Sequence, residues 1–198
     1  MTLRRLLVLP LLMIAALLVG CGSDDSEPDS SNDSSERDST DDTSDEQEDE
    51  NRDDAVGTDD FSFIPPDGWG DISDEVSGAE IAYRDDEPVN GFAANINVIR
   101  TPGQKMSVED LEEAGIAELE RAGFQDVAAD DPYEVDGEES PVVTSLASRD
   151  GATYQTRQYY AQYDGAYYII TFSFSPDVDD DEVVDVSESI IDSWRWES

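Results

Sequence analysis

The chain has 198 residues, 50 acidic and 11 basic, for a formal net charge of −39, with no histidine and one cysteine. That length allows one folded domain and little more. A surface this negative repels phosphate backbones and argues against nucleic acid as a partner. Lack of histidine removes imidazole bases, imidazole metal ligands and a titration near neutral pH, and one cysteine forms neither an internal disulfide nor a multi-thiolate metal site.

Residues 1–21 have the three parts of a secretory signal. Arg4 and Arg5 supply the positive end, an apolar run of about thirteen residues extends from Leu6 to Leu18, and Val19-Gly20-Cys21 follows. The run falls short of the roughly 20 residues that span a bilayer as a helix, so cleavage is expected. The ending Leu18-Val19-Gly20-Cys21 resembles the bacterial lipobox. That resemblance implies a diacylglyceryl group on the Cys21 thiol and acylation of the new N-terminus. Two or three chains anchor stably where one does not. The implied location is the extracytoplasmic face of the cell membrane, with the covalent lipid on Cys21 and no other cofactor. The competing reading is a buried helix or an ordinary signal with an incidental cysteine.

From Gly22 to Asp60 the chain holds 18 acids, two basic residues and almost no apolar side chains. Such a segment cannot bury enough surface to offset chain entropy and is expected to be a disordered tether. As a flexible coil it would span about 35 Å, more with charge repulsion.

The remaining residues, 61–198, read as a single domain with 32 acids against seven basic residues. Phe61 to Ile64 alternates as a short strand before Pro65-Pro66, and a second lies around Ala79 to Arg84. Phe92 to Thr101 forms a third, with Asn95 and Asn97 on one face and Ile96 and Val98 on the other. Ser107 opens a helix through a capping-box variant, Ser107-Val108-Glu109-Asp110. Val108, Leu111, Gly115, Leu119 and Ala122 form its apolar stripe, and Gly123 closes it. After Pro132, strands are expected at Tyr133 to Val135, Val142 to Ser148, Thr153 to Tyr163 and Ala166 to Phe174. Asp164-Gly165 is the hairpin turn between the last two. Val183, Val186, Ile190 and Trp194 then predict a closing amphipathic helix. Runs of strands with two helices, without strict alternation, argue for an α+β fold with a mainly antiparallel sheet.

A two-residue turn at Asp164-Gly165 pairs Tyr163 with Ala166. Tyr159, Ala161, Tyr168, Ile170, Phe172 and Arg157 then share the core face. On the other face fall Tyr154, Gln158, Tyr160, Gln162 and Tyr167, aromatic rings beside amides. Such a set suits a partner-binding surface. The bland alternative is ordinary strand composition under a covering helix.

The opening Phe61-Ser62-Phe63-Ile64-Pro65-Pro66-Asp67-Gly68-Trp69, the block Gly91 to Val98, the helix begun by Ser107, the lipobox and the acidic Ser-rich tether together resemble the actinobacterial LpqN-type lipoproteins of the PsbP-like group. The resemblance implies an α/β/α sandwich in the cell envelope, binding or accompanying an envelope protein or glycolipid. It carries no catalytic motif.

Catalytic patterns are weak. Histidine-based triads are impossible, and a Ser-Lys pair would need Lys105 with Ser107, which is better explained as a helix cap. A carboxylate-dependent hydrolase stays an alternative among so many acids, as does a cation-binding or salt-adapted structural module. Asp177, Asp179, Asp181, Asp185 and Glu188 fall at calcium-loop positions, but Glu182 stands where the sharp turn needs glycine.

Overall fold

In the computed structural model, residues 54–149 and 151–197 are described. The signal-like segment, Cys21 and the tether as far as residue 53 lie outside the described residues. Tight turns set the architecture. Asp164-Gly165 and Asp136-Gly137 both place their two central residues at positive φ, at 41° and 74° and at 45° and 82°. This mirror-image turn matches the twist of the flanking strands. The first joins β8 (Ala152–Tyr163) to β9 (Ala166–Phe174), and the second joins β6 (Gln125–Val135) to β7 (Glu138–Arg149). Tyr163 faces Ala166 and Tyr159 faces Ile170, the register expected from the turn.

With β3 (Trp69–Asp71), β4 (Ile81–Asp85) and β5 (Asn95–Pro102), these strands form one seven-stranded sheet. Its order is β3-β4-β5-β9-β8-β7-β6, with every neighbouring pair antiparallel. Helix α1 (Val108–Ala122) lies on one face. Helix α2 (Asp180–Asp192) packs on the other, with a small sheet of β1 (Val56–Gly57), β2 (Phe61–Phe63) and β10 (Arg195–Trp196). The α+β class and the antiparallel sheet are as the sequence indicates. No helix among the described residues is long and apolar enough to cross a membrane.

α1 begins and ends where its sequence says. Ser107 Oγ accepts from Asp110 N at 3.1 Å, and Gly123, at φ 89°, returns its N–H to Glu120 O and Leu119 O. Leu111, Gly115 and Leu119 are its buried stripe. The main core lies on the α2 side, where Phe61, Phe63, Tyr159, Ile170, Phe172, Ile190 and Trp194 are all completely buried.

Three expectations need correction. Folded structure begins before Phe61: Val56 pairs with Phe63, Asp60 O accepts from Glu197 N at 2.9 Å, and Asp60 meets Arg100 Nε at 2.9 Å. Residues 54–60 therefore belong to the domain, acidic though they are. The strand before Tyr133 starts at Gln125 rather than after Pro132. Pro132 is tolerated because β6 is a sheet edge and the pairing shifts register between Asp130 and Tyr133. The final helix stops at Asp192, and Trp194 follows it as a core plug ahead of β10.

Candidate functional site

The strand alternation that puts Tyr159 in the main core turns Tyr160 to the opposite face, and α1 covers that face over β6, β7 and β8. The expectation of an open aromatic surface there is corrected. Tyr160, Tyr167 and Gln158 are 5%, 3% and 5% exposed, and the two tyrosines form a second core with Leu111, Leu119, Val143 and Ile169. Tyr160 Oη donates to Gln158 Oε1 at 2.7 Å, and Gln158 Nε2 donates to Thr171 Oγ1 at 2.9 Å, so the buried polar atoms satisfy one another. Burial pushes the Tyr160 hydroxyl above its ordinary pKa. Tyr167 Oη donates to the Gln104 carbonyl, and its ring occupies the space a Gly103 side chain would need. Gln162 clasps the Met106 backbone, accepting from N at 2.7 Å and donating to O at 3.1 Å. Of the five residues expected on that surface, Tyr154 alone stands apart from this packing. It is half-buried and stacked on Phe92 with centroids 5.3 Å apart.

Close packing of α1 depends on Gly115, because a Cβ there would sit 2.7 Å from Tyr160 Cζ. Gly115→Ala is expected to cost about 1–3 kcal/mol, as overpacking outweighs the gain in helix propensity. A urea titration checks this, and a stabilised variant would contradict the packing.

On the α2 side the sheet carries a buried cation. Arg157 extends from β8 with its side chain 5% exposed; Nη1 meets Asp130 Oδ2 at 2.5 Å and Nη2 meets Glu188 Oε1 at 3.4 Å. Its Nε–H donates to Tyr159 Oη at 2.9 Å, and Tyr159 in turn donates to Ser187 Oγ at 3.2 Å. Beside this cluster runs a cleft of about 380 Å³, bounded by Asp126, Thr144, Gln155 and the first turn of α2. The guanidinium is already neutralised by two carboxylates, so the cleft presents no spare positive charge to an anionic ligand.

Hydrogen bonding to Arg157 holds the Asp130 carboxyl below its ordinary range. A general acid needs the opposite shift. A depressed carboxylate stabilises the fold above its unfolded-state pKa and loses that contribution as pH falls through its folded-state value. Asp130 is 45% exposed, so the effect is under about 1 kcal/mol. Below pH 4 the wild type should lose its advantage over Asp130→Asn, as read by denaturation at pH 6 and pH 3. A gap unchanged by acid would contradict the pairing.

The calcium-loop residues do not assemble. Asp177 accepts from Asn90 Nδ2 at 2.8 Å, Asp179 is the N-cap of α2, Asp181 is in its first turn, Asp185 is exposed and Glu188 turns to Arg157. Among the described residues no group of three or more potential ligands could hold a metal ion.

One region of the sheet is rich in neutral polar side chains, with Arg84 of β4 opposite Asn95 at its edge. α1 packs over β6, β7 and β8 and leaves this face of β5 half-buried, and from β5 two cross-strand rows run through β9 and β8, the first as far as β7. The first is Asn95, Ser173, Thr156 and Ser145; the second is Asn97, Thr171 and Gln158. Ser145 and Thr156 share a hydrogen bond of 2.6 Å. Asn95, Asn97, Ile99 and Thr101 are half-buried, whereas Ile96 and Val98 on the reverse face are fully buried. The Asn95-Ile96-Asn97 alternation was legible in the sequence.

An antiparallel sheet with helices on both faces defines an α+β sandwich. Its fold is PsbP-like: the solution structure of cyanobacterial PsbP (CyanoP) from Synechocystis sp. PCC 6803 matches at a TM-score of 0.50, with 16% identity over 72% of this chain and 91% of that one. LpqN, involved in cell envelope biogenesis of Mycobacterium tuberculosis, gives 0.49 with 14% identity over 70% of this chain and 83% of that one. A Bacteroides thetaiotaomicron protein gives 0.48 with 12% identity over 70% of this chain, which spans 45% of its length. No protein family and no curated protein matches the sequence.

Proposed function

We propose that this protein is a lipoprotein held on the extracytoplasmic face of the cell membrane through Cys21, and that its PsbP-like domain is a non-catalytic binding module for an envelope component. The observation that carries the reading is the placement of the sole cysteine at the end of a signal-like segment, directly before an acidic, Ser-rich stretch. The anchor energy would reside in the acyl chains, at about 0.8 kcal/mol per buried methylene. The acidic stretch would hold the domain clear of the lipid. Support for a binding role rather than catalysis comes from the chemistry available: the chain has no histidine, and the carboxylates that converge at Arg157 are neutralised there. Cys21→Ser is expected to move the protein from the membrane to the soluble fraction. A variant that still sediments with membranes would contradict the anchor.

A further inference from the structure

The half-uncovered face of the sheet sets a puzzle of charge. The domain after Asp60 carries 32 acids against seven basic residues. Yet the strand residues that β4, β5, β8 and β9 present to the α1 side include no carboxylate. Under α1 this is ordinary, because that part is buried core. Over β5 the face is half-buried, whereas many exposed positions elsewhere among the described residues are aspartate or glutamate. What stands here instead is Asn95, Asn97, Ile99 and Thr101, all half-buried, beside the buried Thr171 and Ser173 of β9. The one cation on it, Arg84, meets Glu75 at 3.4 Å. At one end the strip is walled by the stacked rings of Phe92 and Tyr154.

We propose that this strip is a docking face for a neutral polysaccharide chain. An amide offers two donors and an acceptor, and a hydroxyl one donor and two acceptor lone pairs, a repertoire that matches the diols of a sugar. An aromatic wall supplies the apolar surface on which a sugar ring can rest. Charge complementarity decides against the other occupants. Anionic lipid or nucleic acid would be repelled by the surrounding acids. A second copy would bring two strongly negative surfaces together. An apolar partner has little to grip, since Val89 is the large hydrophobic residue exposed among the described residues. An uncharged ligand incurs none of these penalties.

The inference deepens the binding role proposed above and rests on it, but it is tested separately from the anchor. Detergent-solubilised full-length protein is run in native gels cast with dextran, mannan or arabinogalactan, with dextran sulfate as the charged control. The expected result is retardation by at least one neutral polymer and none by dextran sulfate. Asn97→Asp, which puts a carboxylate in the strip, should weaken that retardation at least tenfold without shifting the melting temperature. Asn95→Ala gives a second reading should the first variant fold poorly. Mobility unaffected by all three neutral polymers, or retardation unchanged in both variants, would overturn the proposal. So would self-association in light scattering that Asn97→Asp abolishes, because it would identify a second copy as the occupant. The membrane fractionation of Cys21→Ser is indifferent to every one of these outcomes, so failure of the docking face and failure of the anchor are read apart.

Discussion

Replacing Trp194 with alanine is expected to destabilise the domain by about 4 kcal/mol, the range for emptying a large aromatic site in a closed core. Trp194 is completely buried, and its indole stacks on Phe61 at 4.4 Å and on Phe63 at 5.6 Å between centroids. Those rings belong to β2, so the substitution removes the plug joining the small sheet and the end of α2 to the main core. For a domain of this size the loss corresponds to a fall of roughly 12–16 °C in melting temperature. Trp194→Phe separates volume from polarity. The indole Nε1–H has no hydrogen-bond partner among the described residues, so phenylalanine removes an unsatisfied donor while keeping most of the stacking. It is expected to cost less than about half as much. Calorimetry on the two variants checks both values, and equal losses would mean that the ring stack is not the stabilising feature.

The second large effect is expected at Arg157. Truncation to alanine leaves Asp130 and Glu188 without their shared cation and Tyr159 Oη without its Nε–H donor. Removing one partner of a buried ion cluster typically costs 3–5 kcal/mol. Both carboxylates keep some contact with water, at 45% and 29% exposure, so a value near the lower end, about 3 kcal/mol, is expected. Arg157→Lys keeps the charge but cannot reach three acceptors with a planar fork, and should fall between the two. Urea denaturation at pH 7 gives the ranking. A loss under about 0.5 kcal/mol for Arg157→Ala would show that the cluster contributes nothing to the fold.

Much of this architecture was legible in the chain because local chemistry announces it. Asp164-Gly165 set the β8–β9 register, and the Ser107 cap, the Leu111 and Leu119 stripe and the Gly123 terminator defined α1. The placement of Tyr159 in the core followed from the same turn. What strand alternation could not settle was whether the second face was covered. Period-two patterning assigns Tyr160 and Tyr167 to one side of a sheet, but burial depends on where α1 docks, and that is a tertiary fact. Gly115 was the local hint, since a glycine within an apolar helical stripe invites close approach by a large ring. Other features had no strong periodic signal. β1 and β10 are two residues long and exist through pairing with β2. β6 is an acidic edge strand interrupted by Pro132. Its turn, however, was signalled by Asp136-Gly137, the same dipeptide that marks the β8–β9 hairpin. The Arg157 cluster joins three elements far apart in sequence, so no local motif could have disclosed Asp130 and Glu188 as its partners.

The central claim, a folded domain carried at the cell surface by a lipidated cysteine, is tested most directly by the intact mass of the protein extracted from membranes of its native host. The account predicts a chain beginning at Cys21 whose mass exceeds that of the polypeptide by a diacylglyceryl group, with or without a further acyl chain, located by fragmentation on Cys21. A membrane-extracted chain that retains Met1, or one that carries an unmodified Cys21 thiol, would contradict it.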